Sequence, residues 1–443
     1  MRQGAAGQPV RGAGPRRPDG QGRRQGGRGP DGSGGRGHEG SSGRGPDGSG
    51  GRGGEGSGGN GSETARRPAS RRPRFGVLVA IAVLAAVLLV VLHGIRDHHT
   101  TPSSGTRSHL TSARHPKKKP GPVSVGIENC TFIEQGVPTE DYGTSTSVPY
   151  RRLVTEIRYP TQDGKAGSET RGATPAYGRG PFPWIVFAHG YDTSPDTYRA
   201  LLDAWTRAGF VVVAPIFPDT SITGVAADHG ADTEADDVYQ PGDVAFVTKQ
   251  VLAADRHGTG CPVVKGLLDT TAIGLAGQSD GASTVAALAY GSAYRSLGAG
   301  LPYRAVAALS GMEMYDGPDG TSDTYSHKSG DPPLLVTQSD TDACNVPDNS
   351  VYLYTYVDNP ESWFLELLDV DHLPPYTGTA PPSFAVVSKV TTQFFELELA
   401  GKQPGASFLA TGNSEPSVAK MTAGLPAPDI APVTPDAATC YDN

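Results

Sequence analysis

From Trp184 onward the chain alternates short, continuously apolar runs with longer stretches of helical period. "WIVFA" (184–188) is followed by "SPDTYRALLDAWTRAG" (194–209). In the latter Ser194 can cap, Pro195 takes the first helical position, and Tyr198, Leu201, Leu202 and Trp205 share one face. "FVVVAP" (210–215) is β-branched and apolar throughout, as a strand covered on both faces should be. Helices are expected over 241–255 and 280–292, strands over 271–277, 303–311, 332–338 and 362–368, and a last helix over about 383–399. This alternation predicts an α/β fold with a mostly parallel, doubly wound sheet. Its chemistry should then sit at the C-terminal ends of the strands.

The alternation occupies only part of the 443 residues. Residues 1–74 are a tail of Gly, Arg, Pro, Ser and Asp in which a 16-residue block repeats from Gly27 and again from Gly43. Without apolar positions such a repeat cannot bury enough surface to fold, so a disordered tail is expected. "FGVLVAIAVLAAVLLVVL", Phe75 to Leu92, is 18 uninterrupted apolar or small residues. As a helix it is about 27 Å long, close to the hydrocarbon thickness of a bilayer. Five arginines (66, 67, 71, 72 and 74) flank it on one side, whereas Arg96 is balanced by Asp97 on the other. That asymmetry predicts a single-pass signal anchor over 75–95, with a cytoplasmic N-terminus and an extracellular remainder. Cleavage of the segment would instead release a secreted protein. A Ser/Thr/Pro/Lys linker (96–120) leads to the domain, read as 121–400, and a Pro/Ala-rich extension (401–443) follows.

Charge divides at the same boundary. Residues 1–120 hold 21 Lys+Arg against 7 Asp+Glu, and the remainder 17 against 39. A domain that acidic is not expected to bind nucleic acid.

"GLAGQSDGAST" places Ser279 between Gly277 and Gly281, where the strand over 271–277 runs into the helix over 280–292. Glycine is abundant, 60 of 443 residues, so G-x-S-x-G alone means little. Between a buried strand and a helix, however, it reads as a nucleophile elbow, whose strained serine and crowded flanks require both glycines. A serine hydroxyl needs an oriented base. With the order serine, acid, histidine, the base is His372 in "DVDHLPPY", at the end of the strand over 362–368. The acid lies in "PPLLVTQSDTDACNVPDNS". Asp342 is favoured because it stands where G-x-x-D-x-x-V-P-like loops carry their acid, while one extra residue before Val346-Pro347 keeps Asp340 open. The oxyanion would be held by the backbone N–H groups of Asp280, after the serine, and Tyr191, after "FAHG". His189 in that motif reads as a structural hydrogen-bonding residue rather than a second base.

Four stretches, "FAHGYDTSPDTYRALLDAWTRAGFVVVAP", "QPGDVAFV", "GLAGQSDGAST" and the Asp342/His372 tail, resemble α/β hydrolases of the cutinase-like, dienelactone-hydrolase-like and platelet-activating-factor-acetylhydrolase-like group. The likeness covers roughly residues 123–400. It implies the α/β-hydrolase fold and a serine esterase. The "HGY" loop and a cysteine close to the acid look most like the bacterial cutinase and polyester-hydrolase branch. Gln278 and Asp280 stand where that branch usually has histidine and methionine, and an acid beside the oxyanion hole speaks against polyesters.

The leading expectation is therefore a membrane-anchored, extracytoplasmic serine hydrolase, a carboxylesterase or lipase, acting on a small-molecule or lipid ester through an acyl-enzyme. No insertion is long enough for a large cap domain, and the longest loops (217–240 and 312–331) are polar, so an open cleft is expected. There is no dinucleotide glycine fingerprint and no metal-ligand cluster, so no cofactor or metal is expected. An envelope acyltransferase with the same triad, and an inactive binding module on the same fold, remain as alternatives.

The four cysteines all follow the apolar segment, which suggests two disulfides in an oxidising compartment, with free thiols as the alternative. Cys261 precedes the strand that ends at the elbow, whereas Cys344 lies just past a strand end. A strand separates those two edges by roughly 17–20 Å, and a disulfide needs Cα atoms within about 7 Å. Cys261–Cys344 is excluded on that ground, and Cys130–Cys261 with Cys344–Cys440 is the favoured pairing.

Overall fold

A computed structural model describes residues 123–162, 167–228, 233–311, 324–402 and 408–440. The expected tail, anchor and linker up to residue 120 lie outside the described residues. Among the described residues no helix is long and apolar enough to cross a membrane.

The described strands are β1 (Ser124–Asp141), β2 (Thr146–Thr161), β3 (Glu169–Arg171), β4 (Phe182–Ala188), β5 (Val211–Ile216), β6 (Leu268–Gln278), β7 (Tyr303–Leu309), β8 (Leu334–Ser339), β9 (Ser362–Leu367) and β10 (Ala419–Ala423). They form one sheet in the order β10-β9-β8-β7-β6-β4-β5-β2-β1-β3. From β5 to β9 all neighbours are parallel, while β1, β2 and β10 join antiparallel.

The centre of the sheet is covered on both faces, which explains its unbroken apolar runs. Trp184 and Val186 of β4 face one core with Val213 and Leu275. The alternate residues Ile185 and Phe187 face the other with Val212, as the two-residue period of a strand requires. The described α-helices are α1 (Arg199–Ala208), α2 (Ile222–Ala227), α3 (Gln240–His257), α4 (Asp280–Tyr290), α5 (Pro347–Val357), α6 (Pro374–Thr377), α7 (Pro381–Glu398) and α8 (Phe408–Gly412). Val251 of α3 and Val285 of α4 close the first core; Trp205 of α1 and Phe394 of α7 close the second.

This topology positions the site. The chain leaves β4 for β5 on one side, then crosses to β6 on the other, so both flank β4. At that switch point Ala188 pairs with Gly277, and the ends of β4 and β6 open side by side.

Three features differ from the sequence reading. The helix expected from Ser194 begins at Arg199, because residues 194–198 form successive tight turns (Thr197 N–H to Ser194 O, 3.0 Å; Tyr198 N–H to Pro195 O, 3.2 Å). The long β1–β2 hairpin precedes the alternation that signalled the fold. The domain read as ending at residue 400 continues through β10, where Ala419 pairs with Leu367 of β9 and is fully buried. Ala419–Ala423, within the expected extension, therefore belong to the sheet.

Both favoured disulfides are present, Cys130–Cys261 with Cα atoms 5.3 Å apart and Cys344–Cys440 at 4.9 Å.

Candidate active site

β6 ends at Gln278 and α4 starts at Asp280, so Ser279 alone makes the turn, with φ 57° and ψ −126°. A Cβ on Gly277 would lie 2.0 Å from the Gly281 carbonyl oxygen, and one on Gly281 would lie 2.1 Å from that of Ala188. Both glycines are thus fixed by close backbone approach. The turn is pinned by Ser279 N–H to Leu309 O of β7 at 3.0 Å.

His372, in the loop after β9, is 4% exposed, and its Nδ1 lies 2.8 Å from Asp342 Oδ2. Asp342 follows β8 and is fully buried. Its Oδ1 accepts from the backbone N–H groups of Cys344 and Asn345, both at 3.0 Å. Its Oδ2 also accepts from Ser310 Oγ at 2.5 Å and Gln338 Nε2 at 3.2 Å. Because Oδ2 can only accept here, the imidazole carries its proton on Nδ1 and presents a lone pair at Nε2. That lone pair meets Gln278 Nε2 at 3.0 Å. Ser279 Oγ is met by Asn345 Nδ2 at 3.4 Å.

Asp340, the other candidate acid, has a different task. Its Oδ1 accepts from Asp369 N–H at 2.8 Å, and its own N–H donates to Leu367 O at 2.9 Å, tying the acid loop to the histidine loop. His189 is fully buried, its Nδ1 donating to Gly190 O at 2.8 Å and its Nε2 accepting from Phe217 N–H at 3.0 Å. Burial pushes its pKa down to about 4, so it stays neutral and braces the Gly190–Tyr191 loop.

Tyr191 and Asp280 line a cleft of about 240 Å³ together with Ser279, His372 and Asn345. Tyr191 Oη accepts from Thr233 Oγ1 at 3.2 Å. The Asp280 carboxyl is pushed up to about 8 by burial, with Glu234 and Asp237 adding to the shift, and among the described residues its Oδ2 has no hydrogen-bond partner. Pro435 and Cys440 form another wall, held by the Cys344–Cys440 bridge and by Asp436 N–H to Ala343 O at 2.8 Å.

Several residues of this corner are absent from the sequence reading. Ser310 follows β7 directly with φ 51°, and its hydroxyl donates to the acid. Gln338 and Asn345 fix the acid loop, Gln338 Nε2 donating to Asn345 O at 2.8 Å. Their one signal is polarity where a buried strand should stay apolar: Thr337, Gln338 and Ser339 close β8 and are all buried.

A family model described as Chlorophyllase matches residues 173–347, a stretch that includes Tyr191, Ser279 and Asp342 and ends before His372. Among solved structures, a ferulic acid esterase from Streptomyces cinnamoneus is similar at 17% identity and a TM-score of 0.46, with 65% of this chain and 95% of that chain covered. No curated protein matches.

Proposed function

We propose that this chain, which belongs to the α/β-hydrolase superfamily of ester-cleaving enzymes, is a serine carboxylesterase acting on a small-molecule ester. Ser279 attacks the carbonyl carbon while His372 Nε2 takes its proton. Asp342 holds Nδ1–H and stabilises the imidazolium, and the backbone N–H groups of Tyr191 and Asp280 receive the oxyanion. His372 then protonates the leaving alcohol. Water, deprotonated by the same ring, cleaves the acyl-enzyme and restores Ser279.

The observation that carries this reading is the buried 2.8 Å Asp342–His372 contact beside a positive-φ serine at a strand-to-helix turn. Two disulfides and the apolar segment 75–92 support an anchored, extracytoplasmic setting.

Ser279→Ala and His372→Ala should each lower kcat/KM on a p-nitrophenyl ester by about 10³-fold or more. Ser279→Ala should also abolish labelling by a fluorophosphonate probe. Near-wild-type turnover in either variant would overturn the mechanism.

A further inference from the structure

The residue before the serine makes a contact that this mechanism does not use. Gln278 is buried, and its two amide ends have different partners. Nε2 donates to His372 Nε2 at 3.0 Å, and Oε1 accepts from the Tyr198 hydroxyl at 2.6 Å. Around Tyr198 the protons can be assigned. Gly190 N–H donates to the Tyr198 oxygen at 3.3 Å, and Thr193 Oγ1, 3.2 Å from that oxygen, gives its own proton to Gly190 O at 2.6 Å. Tyr198 has a single proton, and it goes to Gln278 Oε1. The NH₂ end is therefore left to face the imidazole.

We propose that Gln278 is a positioning residue for His372: its amide, oriented by Tyr198, holds the Nε2 edge of the ring in the lone-pair state that accepts the serine proton. The proposal rests on the esterase reading above.

The N–H···Nε2 bond exists only while the ring is neutral. Once Nε2 is protonated, two N–H groups face each other. Gln278 thus favours the neutral ring from one edge, while Asp342 favours the imidazolium from the other. The amide also shares the lone pair that Ser279 must reach, so it restrains the ring at rest and yields during acylation. An ordinary neutral hydrogen bond shifts a proton equilibrium by up to about one pH unit.

The other groups facing the ring are the same in every variant that keeps Tyr198. Ser310 Oγ lies 3.2 Å from Nδ1, beside Asp342. Burial raises the Tyr376 phenol of α6 and the Tyr198 phenol of the β4–α1 loop far above neutrality. Glu234 and Asp280 line the same cleft, with Asp280 titrating at about 8, on the alkaline side. Asp369 and Asp371, on the histidine's own loop, are exposed.

The test is the pH dependence of kcat/KM for p-nitrophenyl acetate with the full chain. Gln278→Met keeps the side chain's length and removes the donor, and its acid limb should move to higher pH by about 0.5–1 unit. Gln278→Glu presents a carboxylate to Nε2 and should move the limb further in the same direction. Tyr198→Phe deletes one oxygen, frees the amide to turn its carbonyl to the protonated ring, and should move the limb in the same direction as Gln278→Met. An unchanged limb in Gln278→Met, with activity lowered evenly at every pH, would reduce Gln278 to a packing residue and overturn the proposal, since Gln278→Glu moves the limb through its new charge alone. If the Gln278 variants fail to fold, an unchanged limb in Tyr198→Phe overturns it instead. Ser279→Ala separates the two levels: an active Ser279→Ala removes the esterase reading itself, whereas an inactive one with unmoved limbs removes only the role of Gln278.

Discussion

Asp342 and Asp243 are both fully buried, and different partners surround them. Asp342 takes two backbone N–H groups, a serine hydroxyl, a glutamine amide and an imidazole. Asp243 of α3 shares the buried Arg151 of β2 with Asp236 and Asp219. Arg151 meets Asp243 and Asp236 at 2.7 Å each, but Asp219 only at 4.0 Å. One corner is built from fixed dipoles, the other from one cation among three acids. Fixed dipoles hold a carboxylate at one place, as orienting a histidine requires. The charge cluster joins β2, α3 and the turn over Glu234–Tyr239, which delivers Glu234 to the cleft. It shapes the wall of the site without meeting His372.

The largest effect should come from turning one dipole around. In Asp342→Asn an NH₂ can face Nδ1, which favours the wrong tautomer, and kcat should fall by about 10³–10⁴-fold. Melting should fall by a few degrees: the carbonyl end still accepts from Cys344 and Asn345 N–H, but the NH₂ end faces the Gln338 Nε2 donor that Oδ2 accepted from. Asp340→Asn keeps an acceptor for Asp369 N–H and should stay within about threefold of wild type. Steady-state kinetics on the two variants checks the contrast, and an inactive Asp340→Asn would move the acid by two residues.

Removing the cation of the other corner should register in stability. Arg151→Met leaves Asp236 and Asp243 buried without their cation and should cost about 3–5 kcal/mol in urea unfolding at neutral pH. The loss should shrink in acid, where the carboxylates can protonate. A loss equal at both pH values would mean that the cluster is not held by charge.

How much of these two corners the sequence reveals follows from the range of each interaction. The elbow is legible because its cause is local: strand, glycine, serine, glycine and helix are contiguous from Leu268 to Tyr290. Asp342 and His372 are legible because both follow buried strands, which fixes the edge of the sheet they occupy. The disulfides yield to the same edge argument. Arg151 is not legible, since its acidic partners lie 68 to 92 residues away and nothing near it in "VPYRRLV" separates a buried arginine from an exposed one. Ser310 and Gln278 are hidden for another reason. Their roles come from backbone direction at strand ends, φ 51° for Ser310, and not from residue type. β10 alternates Ala419 and Met421 inward with Lys420 and Thr422 outward, but over only five residues, too short a run to mark a strand without the edge of β9.

The smallest effect at acid pH concerns Asp219, the acid least engaged by Arg151. Burial, reinforced by the neighbouring Asp236, pushes it up to about 8, and among the described residues its Oδ2 has no hydrogen-bond partner. In the unfolded chain the same group titrates near 3.9. Between those limits the folded state holds a proton that the unfolded state has released. The group's contribution to stability is therefore complete below about pH 4 and is lost as the pH rises through about 8. Asp219→Asn removes this titration and keeps a neutral side chain of the same shape. Below about pH 5 it should differ from wild type by about 1 kcal/mol or less. It should then gain on wild type steadily with pH and level off above about 8. Urea unfolding of both proteins across that range is the measurement. A stability difference independent of pH would mean that Arg151 neutralises Asp219 as fully as its two neighbours, and the contrast between the corners would narrow to the number of their hydrogen bonds.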